Sequence, residues 1–157
     1  AVADREAYWM DIGTPDRYLA ACWDILDRKV ESEPGAKVDD DGRYVAADAE
    51  VDPAAAVEGD SFVESDCVVA AEATIGPRAV LGAGVTVGKG ASIVGSALHP
   101  ACRIGSGAAV VGSILSAGVV VEDGANVPED SVIGAGATIT AGANLEPGAR
   151  VQPEETV

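Results

Sequence analysis

The chain has 157 residues, 48% apolar but only 4% aromatic, and sets 10 Lys and Arg against 26 Asp and Glu for a net charge of −16. That length allows one medium domain, or a small domain with a remnant of another, and a core so poor in rings must be built from small and branched aliphatic side chains. So acidic a surface excludes nucleic acid as a partner; no apolar run reaches the roughly 18 residues of a membrane span and no basic-then-apolar leader is present, so a cytoplasmic protein is expected.

In chain order, the first informative stretch is EAYWMDIGTPDRYLAACWDIL, from Glu6 to Leu26. It reads as a strand delivering one carboxylate, Asp11, to a Gly-Thr-Pro turn and then a helix. Thr14-Pro15-Asp16 is a good helix start, with Thr as cap, Pro at the first helical position and an acid favoured by the dipole. Leu19, Cys22, Trp23 and Leu26 recur at i, i+3, i+4 and i+7, one apolar stripe. The helix is predicted to end near Arg28-Lys29, before Pro34-Gly35 breaks any continuation. Residues 30–48 then read as a polar connection.

From residue 49 onward a six-residue period takes over. Steps of six from Val51 run through Val57, Val63, Val69, Ile75, Leu81, Val87 and Ile93. A step of five reaches Leu98, and a second step of five joins Val110 to Leu115. Nineteen consecutive register positions are Val, Ile or Leu, and sixteen of the nineteen positions two residues earlier are Ala, Ser or Cys. One residue before those, Gly stands at ten positions, including Gly84, Gly107 and Gly124. A short strand sends alternate side chains to one face. A large and a small residue two apart therefore share an interior, and glycine supplies the backbone freedom for a corner. Three such strands close one coil of a triangular solenoid in which each coil touches only its neighbours. The shortened stretches IVGSAL (Ile93–Leu98) and VVGSIL (Val110–Leu115) are predicted to be short corners on one edge of the prism.

This frame absorbs several tempting residues. Cys67 and Cys102 fall in the small inward slot and read as buried fillers, Cys22 falls on the helix stripe, and an odd cysteine count without CxxC excludes a disulfide framework or zinc ribbon. The string GKGAS (Gly88–Ser92) places its glycines on repeat positions and follows no strand–helix unit, so it is not read as a phosphate loop. His99 is the one histidine, which excludes a three-histidine zinc site. It reads either as a surface corner residue or as the base of an acyl transfer.

The hexads resemble the repeat of left-handed parallel β-helices over residues 49–157, about six coils, and the handedness follows from that resemblance. YWMDIGTPDRYLAA is similar to the closing motif of the catalytic domain in sugar-1-phosphate nucleotidyltransferases, among them mannose-1-phosphate guanylyltransferase-like and glucose-1-phosphate thymidylyl- or adenylyltransferase-like enzymes. Many of these join an α/β domain to a left-handed β-helix. The resemblance implies a mainly β chain in three parts: residues 1–29 the end of the catalytic domain, 30–48 a linker, and 49–157 the β-helix. It also implies a homo-oligomer, assembled or regulated through the β-helix. In the complete enzyme it implies NTP and sugar 1-phosphate as substrates and Mg²⁺ as cofactor, with Asp11 a metal ligand. The family's glycine-rich nucleotide loop and second metal-binding aspartate have no counterpart here, so no catalytic or nucleotide-binding residue is assigned and the fragment is expected to be inactive alone. Ala1 in place of Met agrees with a start inside a longer parent. Two other readings stay open: a hexapeptide acyltransferase using His99, and a non-catalytic oligomerisation module.

With only three Lys among so many acids, the composition resembles that of salt-in halophiles, where molar salt screens self-repulsion. On that reading the folded signal of the chain, followed by circular dichroism, grows with KCl beyond about 1 M. Full folding in salt-free buffer contradicts it.

Overall fold

The computed structural model describes residues 8–157. From residue 43 onward the chain is a left-handed parallel β-helix, a triangular prism of about six turns whose three walls are parallel sheets. Sheet A stacks Arg43–Val45, Ser61–Val63, Val80–Leu81, Ala97–Leu98, Ile114–Leu115, Val132–Ile133 and Arg150–Val151. Sheet B stacks Glu50–Val51, Val68–Val69, Thr86–Val87, Arg103–Ile104, Val120–Val121 and Thr138–Ile139. Sheet C stacks Ala56–Val57, Thr74–Ile75, Ser92–Val94, Ala109–Val111 and Asn126–Val127. Each residue meets its counterpart one coil on, as Phe62 meets Val80 and Ala97 meets Ile114. Both shortened steps lie on the edge where sheet C turns into sheet A, as the spacing predicts.

The aliphatic positions form the core. Val63, Ile75, Leu81, Ile93, Val110, Leu115, Ile133 and Ile139 are fully buried. The small slot differs by wall. On sheet C it is Ala in every coil: Ala55, Ala73, Ala91, Ala108, Ala125 and Ala143. On sheet B it admits Cys67, Val85, Cys102 and Val119, all buried. On sheet A it is serine in four coils; the hydroxyls of Ser96, Ser113 and Ser131 reach a nearby carbonyl, whereas the buried Ser61 Oγ has no partner among the described residues. Ser113 Oγ donates to Pro128 O at 2.7 Å, and Ser96 Oγ donates to Val94 O at 2.9 Å while accepting the Ser113 amide at 3.0 Å. A buried hydroxyl so paired avoids the desolvation cost that an unpaired one carries. Burial pushes the Cys102 thiol up to about 11, and Cys67 shifts the same way, which makes both inert fillers.

The corner position shows why glycine recurs. All ten repeat glycines have φ between 52° and 71°, or 77° for Gly148, and seven non-glycine residues adopt the same left-handed backbone: Asp60, Asp66, Glu72, Arg78, Ala101, Asp130 and Glu154. An L-residue there pays for its Cβ. Ala101 has φ 62°, whereas Gly107 has φ 67° with open space where a Cβ would stand. Ala101→Gly is therefore expected to raise stability, and Gly107→Ala to lower it, by about 0.5–1 kcal/mol each. Urea denaturation midpoints moving in opposite directions check the pair.

Before the prism lie two helices, α1 (Pro15–Leu26) and α2 (Glu33–Lys37). Thr14 occupies the cap position of α1 with extended backbone, but its hydroxyl makes no capping bond; the Tyr18 amide to Thr14 O at 2.9 Å opens the helix. α1 ends at Leu26, two residues before the predicted Arg28-Lys29. The closing bonds are Arg28 N to Ile25 O and Lys29 N to Asp24 O, with Arg28 at φ 56° in the place glycine usually holds.

Two further expectations are corrected. Residues 30–48 are not irregular throughout: α1 has already closed at Leu26, and Pro34 sits in the first turn of α2, where Ser32 Oγ accepts the Gly35 amide at 3.1 Å. The first strand of sheet A, Arg43–Val45, also lies inside that stretch and pairs with Ser61–Val63. Val45 is one hexad before Val51, hidden in the sequence because Arg43 fills its small slot. The strand expected before Asp11 is not formed over residues 8–13, where no described strand runs alongside to pair with it; its earlier residues lie outside the described ones.

Candidate functional site

α1 lies along the outer wall of sheet A. Leu19 and Leu26 are buried, and Leu26 joins Val38 and Phe62 in a second small core to which Trp23, Tyr44 and Val80 contribute. The stripe read from the sequence is thus the face that meets the prism. Trp23 is the fastener: its Nε1 donates to Arg78 O at 3.2 Å, and the Arg78 guanidinium lies 5.4 Å from the indole centroid. Arg78 also pairs with Asp27 at 3.4 Å.

Under α1, from Tyr18 to Leu26, is a cavity of about 290 Å³, lined by Phe62, Val80, Ala97 and Leu98 and edged by Tyr18, Cys22, Glu64 and His99. His99 is half-buried there. Its Nε2 shares a hydrogen bond of 3.1 Å with the Tyr18 hydroxyl, and the two rings stack with centroids 6.0 Å apart. This corrects the reading of His99 as a surface corner residue: the corner is covered by α1. Burial raises both the Tyr18 hydroxyl and the Cys22 thiol above their ordinary values, so neither is a ready nucleophile near neutral pH.

Asp11 stands apart from that cavity. Its Oδ1 accepts the Gly13 amide at 2.9 Å, and its Oδ2 pairs with Arg17 Nη1 at 3.2 Å, both side chains 55% exposed. Among the described residues no three His, Cys, Asp or Glu side chains gather into a metal cluster. One exposed carboxylate, already paired with a cation, does not fit Mg²⁺ unaided, since that ion takes a full octahedral set of oxygens.

The sequence did not single out Tyr18, Glu64 or Arg78. A signal for Arg78 exists: it is a bulky residue at a corner that glycine usually occupies. No comparable signal marks Tyr18, which meets a residue 81 positions away.

Among the described residues no helix is long and apolar enough to cross a membrane. The prism, its hexad core and its stacked corners define a hexapeptide-repeat β-helix of the kind built into transferases. Residues 57–157 match the GMPPB C-terminal domain, the hexapeptide-repeat region of a sugar-1-phosphate nucleotidyltransferase, and the chain belongs to that family. No curated protein matches it significantly. Among the solved structures that share the fold, two are informative. One is a Bacillus cereus protein assigned as an acetyltransferase, 18% identical, with a TM-score of 0.67 over 71% of this chain and 70% of the other. The second is a hexapeptide transferase family protein from Anaplasma phagocytophilum, 21% identical, with a TM-score of 0.56 over the same shares, 71% and 70%. At those identities the likeness concerns the fold alone.

Proposed function

We propose that this chain is the β-helix part of a sugar-1-phosphate nucleotidyltransferase, an enzyme that makes NDP-sugar and pyrophosphate from NTP and sugar 1-phosphate. The observation that carries the reading is the family match over residues 57–157, preceded in the same chain by the nucleotidyltransferase-like segment YWMDIGTPDRYLAA. In this reading residues 1–29 end the catalytic domain, residues 30–48 lead out of it, and the β-helix serves assembly or regulation. Docking of α1 on sheet A supports that division of labour, since the clamp of Trp23 on Arg78 ties the segment carrying Asp11 to the prism. Asp11 would join a Mg²⁺ site only with further oxygen ligands and with Arg17 released.

Two measurements test this. Isothermal titration of the chain with each Mg·NTP is expected to show no binding, because one carboxylate cannot hold a nucleotide's phosphates. The product of the complete reading frame is expected to release pyrophosphate from NTP when a sugar 1-phosphate is supplied. Nucleotide binding by the isolated chain, or an inactive complete product, contradicts the proposal.

The rival reading, acyl transfer with His99 as base, rests on the cavity that His99 edges. Against it stands the Tyr18 hydroxyl, which already occupies His99 Nε2. Acetyl transfer by the chain that disappears in His99→Ala would favour the rival. Absence of such transfer, together with an inactive complete product, would leave the oligomerisation module.

A further inference from the structure

None of the 26 acidic residues falls between Ala73 and Val121, a stretch that does contain Arg78, Lys89 and Arg103. In the prism that stretch is a band around the middle coils, with carboxylates crowded towards both ends. The three walls of the band differ. α1 covers sheet A at Val80 and Ala97, and sheet B points Arg103 outward at its centre. Sheet C points no charge outward within the band. Thr74, Ser92 and Ala109 form one outward row, continued by Asn126, and Val94 pairs with Val111 in the next. Val111 is 37% exposed. The strands here are the three-residue ones, Ser92–Val94 and Ala109–Val111. Both run into the shortened corners, so Gly95 and Gly112 finish the edge without a projecting side chain.

We propose that the outer face of sheet C over this acid-free band is where a second copy of the chain packs, wall against wall. Charge identifies the partner. Two molecules of charge −16 that meet on any acid-bearing surface set carboxylate against carboxylate, and like charges in close apposition oppose association. A neutral or basic partner would gain from acids on the face it meets, and gives no reason for a band that lacks them. An equally acidic partner does, and a second copy is one. The composition also suits the centre of an interface, where charged residues are depleted. The inference rests on the assembly role proposed above, though not on the chemistry of the parent enzyme.

Sedimentation velocity of the chain across a KCl series tests it. Self-association is expected, strengthening as salt screens the acids outside the band. Ala109→Glu is expected to weaken it at least tenfold. Thr86→Glu, which adds the same charge to the outer face of sheet B within the band, is expected to leave it unchanged. Circular dichroism shows whether each variant is folded, and Ser92→Glu, one coil away on sheet C, repeats the test independently. A monomer at every salt concentration overturns both the proposal and the assembly role. Association that survives both sheet C variants, or is lost equally with Thr86→Glu, overturns the choice of face and leaves the assembly role standing.

Discussion

Leu98→Ala is expected to lower the unfolding free energy of the β-helix by about 2–5 kcal/mol. Leu98 is 2% exposed and sits in the ladder between Leu81 and Leu115, with Ile93 and Val110 on the adjoining wall. The prism is only three short strands around, so no second layer can collapse into the space left behind. The damage also has a direction. Each coil is held by the one above and the one below, so a cavity in the fourth rung of sheet A weakens the coupling between the two ends. The urea transition is expected to move to lower concentration and to broaden. Val68→Ala removes an outward side chain that is 42% exposed and is expected to change stability by under about 0.5 kcal/mol. Similar losses for the two substitutions would mean that the ladder is not the source of stability.

Trp23→Ala is expected to release α1 while leaving the prism folded. α1 has 12 residues, and a helix of about 12–15 residues is marginal in water without tertiary contacts, so undocking and unfolding are one event. Trp23 supplies the hydrogen bond to Arg78 O, the ring under the Arg78 guanidinium and part of the small core with Leu26 and Phe62. Losing these should cost about 3 kcal/mol of local stability, near the low end for a truncated aromatic because Trp23 is only partly buried. Amide exchange in α1 should then accelerate roughly 100-fold, while amides of Val80–Leu81 and Ala97–Leu98 keep their protection. Arg78→Lys keeps the charge but loses the planar group that stacks on the indole, and is expected to give a smaller acceleration. Unchanged exchange in α1 after Trp23→Ala would show that Leu19 and Leu26 alone hold the helix. Release of α1 also withdraws Tyr18 from His99, so the same variant tests whether the helix is what covers that histidine.

The opening segment was legible in part. The apolar stripe of Leu19, Cys22, Trp23 and Leu26 is the docking face, because helical spacing alone brings those side chains to one side. The strand before Asp11 is not found among the described residues, since a strand is a pairing and pairing partners are not written into six local residues. The Asp11 metal role stays a proposal: its carboxylate faces Arg17 and the Gly13 amide. The short helix and first strand inside residues 30–48 escaped notice because Pro34 can both end and begin a helix, and because Arg43 masks the hexad that ends at Val45.

By itself the sequence determined the coil: large and small inward residues two apart, a left-handed backbone at the corners, and two short corners on one edge. Those features are local, repeated every six residues, and follow from strand alternation and turn sterics. The tertiary structure alone decided which wall each hexad joins, and so why sheet C takes only Ala in its small slot, sheet A prefers Ser and sheet B admits Cys and Val. It alone placed α1 over His99, set the Arg78 guanidinium over the Trp23 ring and left the uncharged wall of sheet C uncovered by any described residue. These depend on residues 17, 18 or 81 positions apart meeting in space, and no local period records which distant residues will touch.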